Sequence, residues 1–208
     1  MRDLPYDNAA LFGADPKEGI VAVEVLADDR VRLFLRTPGS LASEDDRFSP
    51  FLFLESPDLL AGWPGPACVE DLGGTRDYRA VAFFPGWKAL QGALRHLRET
   101  TGRTPGAADA PFYFLSDPVQ QYLTVTGRTL YKGIRFEELL RLQLDIETTV
   151  TKGFEFPNPR REGDRITLVS LSDSTGWEAS LRGDRLAEPQ MLVELGRLIA
   201  ERDPDVIE

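Results

Sequence analysis

The 208-residue chain has one cysteine, one histidine and a deficit of basic residues, 24 Lys and Arg against 34 Asp and Glu. A lone Cys68 excludes an internal disulfide, fits a reducing cytoplasm and reads as a small buried apolar residue. A lone His96, with no histidine or cysteine partner at ligand spacing, excludes a histidine-based catalytic triad and argues against a metal role. It reads as a surface residue or one placed to meet a helix dipole. No apolar run approaches the roughly 20 residues that a membrane helix needs. The N-terminal octapeptide lacks the apolar core of a secretory signal, so a cytoplasmic protein with no membrane partner is expected. The net charge of −10 argues against wrapping duplex DNA through bulk electrostatics. It leaves room for a metal-dependent nuclease, whose site is itself a cluster of carboxylates offset by the metals it holds.

What the chain does contain is a strand with chemistry on it. Leu140, Leu142, Leu144 and Ile146 alternate with Arg141, Gln143, Asp145 and Glu147, and such alternation marks a β-strand with one face buried. Asp145 and Glu147 then project from the same face with Cβ atoms about 6.5–7 Å apart. That separation lets two carboxylates reach around a shared divalent metal site of the kind used for phosphodiester hydrolysis.

The segments around it read as mixed α and β. Residues 19–26 and 31–35 are apolar or β-branched runs separated by a hairpin turn at 27–30. Residues 51–54, 67–72 and 78–84 follow as strands, with a short helix from Ser56-Pro57-Asp58 to Trp63. Pro85-Gly86 opens a helix whose Trp87, Leu90, Leu94 and Leu97 form one stripe and which Gly102 ends. Residues 101–110 are loop-like, 111–115 a strand and 119–123 a short helix capped by Ser116-Asp117-Pro118. A βαββαβ order, as in ferredoxin-like folds, fits roughly residues 31–115. Past Glu147 come a polar loop, strands at 166–171 and 177–181 joined as a hairpin, and a helix from Pro189 with Leu192, Leu195 and Ile199 on one stripe. Asp203-Pro204 stops that helix, and 205–208 begins a further strand.

Leu144-Asp145-Ile146-Glu147-Thr148, the strand 166–172 and the terminal Arg202-Asp203-Pro204-Asp205-Val206-Ile207-Glu208 together resemble the 3′–5′ exonuclease domain of B-family DNA polymerases. Asp-Ile-Glu-Thr is similar to that family's first exonuclease motif, and Asp-Pro-Asp-Val-Ile-Glu to the strand leading into the second. Upstream, Phe48-Ser49-Pro50-Phe51-Leu52-Phe53-Leu54, Asp109-Ala110-Pro111-Phe112 and Gln121-Tyr122-Leu123 resemble the N-terminal domain and its junction with the exonuclease. The resemblance implies an α/β (α+β) protein. A ferredoxin-like or mixed-β N-terminal domain would occupy residues 1–135, and a truncated RNase H-like exonuclease fold residues 136–208.

It further implies an enzyme of the DNA-directed DNA polymerase and 3′–5′ exonuclease class, acting in replication or repair. Asp145 and Glu147 would bind two Mg²⁺ (or Mn²⁺) ions, with the primer 3′ end and single-stranded template as DNA partners. Thr148 would hydrogen-bond near the substrate. Phe154 or Phe156 would stack on the terminal base or else anchor their own loop. Arg160, Arg161 and Arg165 would either touch phosphates or form a solvated face. The family's two further aspartates are not among these 208 residues. The expectation is therefore a piece of a larger polymerase-type protein, with the remainder of the polymerase chain as partner, weak metal binding and little activity alone. Two other readings stand beside it. One is an independent exonuclease of the DEDD group. The other is a non-catalytic module holding single-stranded nucleic acid on Phe51, Phe53, Phe112 and Tyr113, although alternating aromatics in strands more often belong to the core.

Overall fold

The computed structural model describes residues 8–9, 13–37, 40–73 and 77–208, so most of the N-terminal octapeptide lies outside the described residues. The chain divides into two compact units, Met1–Gly133 and Ile134–Glu208. Both mix strands and helices, as the sequence led us to expect. No helix among the described residues is long and apolar enough to cross a membrane.

The first unit begins with an antiparallel meander of β1 (Ile20–Ala27), β2 (Arg30–Thr37) and β3 (Ser40–Arg47). β1 and β2 arise where the alternation of Val and Leu demands them, and Ile20, Val31 and Leu33 are fully buried. β3 was not expected, because Ser-Leu-Ala-Ser-Glu-Asp-Asp-Arg carries no apolar face. It is an edge strand held by register against β2 and by a cross-strand pair, Arg32 Nε to Asp45 Oδ1 at 2.8 Å. Charge of this kind protects an edge from unwanted pairing.

A second sheet, in the order β5-β6-β4-β7, combines β4 (Phe51–Leu54), β5 (Cys68–Asp71), β6 (Ala80–Phe83) and β7 (Phe112–Tyr113), all antiparallel. This is the ferredoxin-like arrangement, starting at Phe51 rather than near residue 31, since β2 and β3 belong to the other sheet. Its first helix is reduced to one 3-10 turn, Pro57–Leu60, capped by the Ser56 hydroxyl. Gly62 at φ +81°, followed by Pro64 and Gly65, leaves no room for a longer helix. The second helix is complete: α1 (Trp87–Thr101) buries Leu90, Ala93, Leu94 and Leu97 against Leu52, Leu54, Ala80, Ala82 and Phe112. Its N-terminus is held by the β1–β2 turn, where Asp28 accepts from the Lys88 N–H (2.7 Å) and the Trp87 N–H (2.8 Å). A Cβ at Gly86 would lie 2.4 Å from the Asp28 carboxylate, so only glycine fits there.

Several expected roles change in this unit. Cys68 is exposed, because β5 is the sheet's outer strand. His96 is half-buried with its ring 5.9 Å from that of Trp63, not a surface residue. Phe51 and Phe112, which only the nucleic-acid-module reading would have exposed, are core residues at 3% and 0% exposure.

The two sheets are joined by α2 (Pro118–Thr126), which Asp117 caps through the Val119 N–H at 2.8 Å. Gln121 is fully buried. Its Oε1 accepts from the Phe51 N–H (2.8 Å), and its Nε2 donates to the carbonyls of Phe51 (3.0 Å) and Leu115 (2.8 Å). The next residue, Tyr122, enters the other sheet's core edge-on to Phe48. Its hydroxyl donates to Asp46 at 2.9 Å, and Arg128 donates to both. Burial and the Asp46 carboxylate hold the phenol above its ordinary range.

The second unit is one four-stranded sheet in the order β10-β9-β8-β11, made of β8 (Arg141–Thr149), β9 (Arg165–Asp173), β10 (Glu178–Arg182) and β11 (Val206–Ile207). The first three pair antiparallel, while β11 returns parallel to β8 after the crossover helix α3 (Glu188–Arg202). Met191, Leu195, Leu198 and Ile199 of α3 pack on Leu142, Val169, Leu171 and Leu181. The helix ends at Asp203, which adopts φ +44°, a left-handed exit rather than the extended one expected before proline. Asp205 then ties the returning chain to β8 by accepting from the Leu140 N–H at 2.8 Å.

Asp173 fixes the far end of the sheet. Burial pushes its carboxyl up, but donors from the Thr175 hydroxyl (2.6 Å), the Thr175 N–H (2.8 Å), Arg202 and the Trp177 N–H outweigh this and hold it at about 2. The Arg202 guanidinium also lies 5.0 Å from the centre of the Trp177 ring.

Gln121→Ala should lower the free energy of unfolding by about 2–4 kcal/mol in urea titrations, because three buried backbone groups lose their partner. Asp173 supplies a second expectation. A carboxyl depressed from an ordinary 3.8 to about 2 contributes stability above about pH 4 and loses it as pH falls toward 2. Asp173→Asn should therefore lower the melting temperature at pH 7 and flatten its decline between pH 4 and 2.

Candidate metal and nucleic-acid site

The site is a consequence of which face of β8 is covered. Leu142 is 1% exposed and Leu144 packs beside it under α3, so alternation turns Gln143, Asp145 and Glu147 to the other face. Both carboxylates are exposed. Neither has a hydrogen-bond or ion-pair partner among the described residues.

Cross-strand register builds the floor around them. Gln143, Ser172 and Glu178 lie in one row across β8, β9 and β10, and Asp145, Ser170 and Ser180 in the next. These residues line a shallow groove of about 610 Å³. A second groove of about 590 Å³ shares Ser170 and Ser180 and adds Arg165, Thr167, Leu168 and Arg182. Glu147 opposes Leu168, after which the register slips and Thr167 is left unpaired, its hydroxyl donating to the Glu147 carbonyl at 3.1 Å. At one edge, Gln143 Nε2 donates to the Glu208 carboxylate at 3.3 Å. The sequence could not reveal Ser170, Ser172, Ser180 or Arg182 as neighbours of Asp145, because only register brings them there.

The other expected site residues sort differently. Thr148 is half-buried and falls by alternation on the face of Leu144 and Ile146, opposite to the carboxylates. The loop after β8 is organised by Asp164, whose side chain is 1% exposed. It accepts from the Thr151 hydroxyl (2.5 Å), the Thr151 N–H (2.7 Å), the Asn158 N–H (2.9 Å) and Arg161 Nη1 (2.9 Å). The Thr151 hydroxyl is the chief reason its carboxyl sits below the ordinary range. Arg161 is thereby engaged within the loop, and its guanidinium covers the Phe154 ring at 3.5 Å. Phe156 is 72% exposed, Arg160 is exposed, and Arg165 lines the groove.

Two hard oxygen donors, unpaired and solvent-facing, suit Mg²⁺ or Mn²⁺ in kind, since such ions are held by one or two carboxylates with water and substrate phosphate completing the shell. Among the described residues no cluster of three or more Asp, Glu, His or Cys side chains could hold an ion.

No protein-family model matches the sequence, and no curated protein matches it. The fold does have a counterpart. The chain is similar to the structure of the family B DNA polymerase from the hyperthermophilic archaeon Pyrobaculum calidifontis, with a TM-score of 0.59 and 18% identity. The match covers 89% of this chain and 29% of that one. The shared fold thus runs through most of this chain but under a third of that polymerase's length.

Because the Asp145 and Glu147 side chains make no hydrogen bond or ion pair among the described residues, replacing either by alanine should change stability by less than about 0.5 kcal/mol. Asp164→Ala should instead loosen the loop, seen as faster limited proteolysis between residues 150 and 164. Equal proteolysis of all three variants would show that Asp164 does not organise the loop.

Proposed function

We propose that this chain is the N-terminal and leading exonuclease portion of a B-family-type DNA polymerase. In this reading residues 136–208 belong to an RNase H-like 3′–5′ exonuclease, and Asp145 and Glu147 serve as its first two metal-binding carboxylates. The observation that carries the reading is the pair itself. Two carboxylates without ion-pair partners among the described residues share the open face of a strand whose other face is covered by α3 at Leu142 and Leu144 and exposed at Ile146, within a fold similar to that of a B-family polymerase.

Bound divalent ions would activate the attacking water and stabilise the departing 3′ oxygen. The chain's own residues do the rest. Asp145 and Glu147 would hold the ions from one face of β8. The Ser170, Ser172 and Ser180 hydroxyls offer hydrogen bonds to a sugar-phosphate strand lying over the groove, and Arg165 offsets its charge, whereas Arg182 is already paired with Asp184 at 2.9 Å. In the loop after β8, Phe156 presents an exposed aromatic ring and Arg160 an exposed guanidinium. Arg161, paired with Asp164 and stacked on the exposed Phe154 ring, supports that loop.

The test is Mg²⁺-dependent shortening of a single-stranded DNA 3′ end by the full-length gene product. Asp145→Ala or Glu147→Ala should slow it by at least about a hundredfold. Mn²⁺ binding by residues 1–208, followed by electron paramagnetic resonance, should be weak and should weaken further in each variant. Undiminished degradation in both variants would remove the assignment.

A further inference from the structure

The first unit carries an aromatic surface that the proposed function does not use. Phe53 on β4, Tyr113 on β7 and Tyr78 just before β6 form a near-equilateral triangle of rings. Their centroids are 6.4, 6.1 and 6.3 Å apart and their planes lie within 31° of parallel. The triangle lies on the face of the second sheet opposite α1. Val81 and Phe51 lie beside it on the same face and are buried, and Phe51 meets Phe53 edge-on at 5.4 Å. Tyr113 is 41% exposed, and Phe53 and Tyr78 are half-buried.

Among the described residues, acidic side chains outnumber basic ones around the rings. Glu70 continues the same cross-strand row as Tyr113, Phe53 and Val81. Glu55 follows Phe53 on its face, and Asp77 adjoins Tyr78. Burial first, and then the Glu55 and Asp77 carboxylates, raise the Tyr78 phenol above its ordinary range. The neighbouring Arg79 has its Nε committed to the Glu55 carbonyl at 3.0 Å. A phosphate backbone laid here would meet Glu55, Glu70 and Asp77, whereas nucleic-acid affinity depends on cationic contacts. A guanidinium meets what it requires: ring faces to stack on and carboxylates to pair with.

We propose that Phe53, Tyr78 and Tyr113, rimmed by Glu55, Glu70 and Asp77, form a docking surface for an arginine-bearing segment of a partner protein. This is independent of the nuclease reading, since the surface lies in the other unit and shares no residue with Asp145 and Glu147.

Calorimetric titration of the full chain at low salt tests it with three probes: a short peptide with arginine at alternate positions, its lysine counterpart, and a short oligothymidine. The arginine peptide should bind about two- to fivefold more tightly than the lysine one. Tyr113→Leu and Tyr78→Leu, which keep apolar bulk but lose the aromatic face, should each weaken it by a similar factor. Glu55→Gln should also weaken it. Unchanged peptide affinity in both leucine variants would overturn the proposal. So would oligothymidine binding that those variants weaken, which would make the surface a nucleic-acid site.

Discussion

The second unit depends on one constraint, the burial of a single face of β8. A strand alternates its side chains strictly, so once Leu142 goes beneath Met191, Leu195, Leu198 and Ile199 of α3, Asp145 and Glu147 have nowhere to point but outward. A slip of one residue would bury two carboxylates and expose the leucines, at a cost no local rearrangement could offset. Register is therefore the mechanism by which an apolar core positions a polar site. β11 extends the same logic. It returns parallel beside β8, pinned by Asp205 to the Leu140 N–H, and so brings Glu208 to the edge of the carboxylate-bearing face.

The first unit solves a different problem, that of joining two small sheets neither of which has a large core. Adjacent residues of α2 serve opposite sides: Gln121 saturates the backbone of β4, and Tyr122 fills the core of the meander. Asp28 makes a reciprocal link from the meander's turn to the start of α1. Buried polar groups are useful here because their hydrogen bonds are directional. Apolar packing alone would tolerate several relative placements of the sheets, while a fully satisfied amide tolerates few.

What could be read from the sequence follows from the range of the interactions involved. Alternation at 140–147, the stripe at Trp87, Leu90, Leu94 and Leu97, and the caps at Asp117 and Gly102 are local patterns, and each produced the element it signalled. β3 was missed because its strand character comes from pairing with β2, not from its own apolar residues. Cys68 was assigned to the core because its residue type is usually buried, yet position in the sheet decided otherwise. Phe51 and Phe53 are two residues apart on one face, but one is covered and the other half-open, a difference set by neighbours distant in sequence. The same holds at the site. The Asp145–Glu147 pair was legible because it is local, while its serine floor and the Arg161–Phe154 stack were not.

The carboxylates themselves separate structural from functional roles. In an acidic chain most Asp and Glu residues carry little information, but three of them are saturated. Asp46 is bound by Tyr122 and Arg128, Asp164 by four donors of its own loop, and Asp173 by Thr175, Trp177 and Arg202. Each has its carboxyl held below the ordinary range because its environment already supplies the compensating dipoles or charge. Groups so bound would have to give up existing partners to take a ligand. Asp145 and Glu147 are the reverse: fixed in direction by the strand, yet with carboxylate oxygens that have no partner among the described residues. Fixed direction without a partner is what a ligand-binding group requires, since an ion then meets donors that need neither reorientation nor release from another bond.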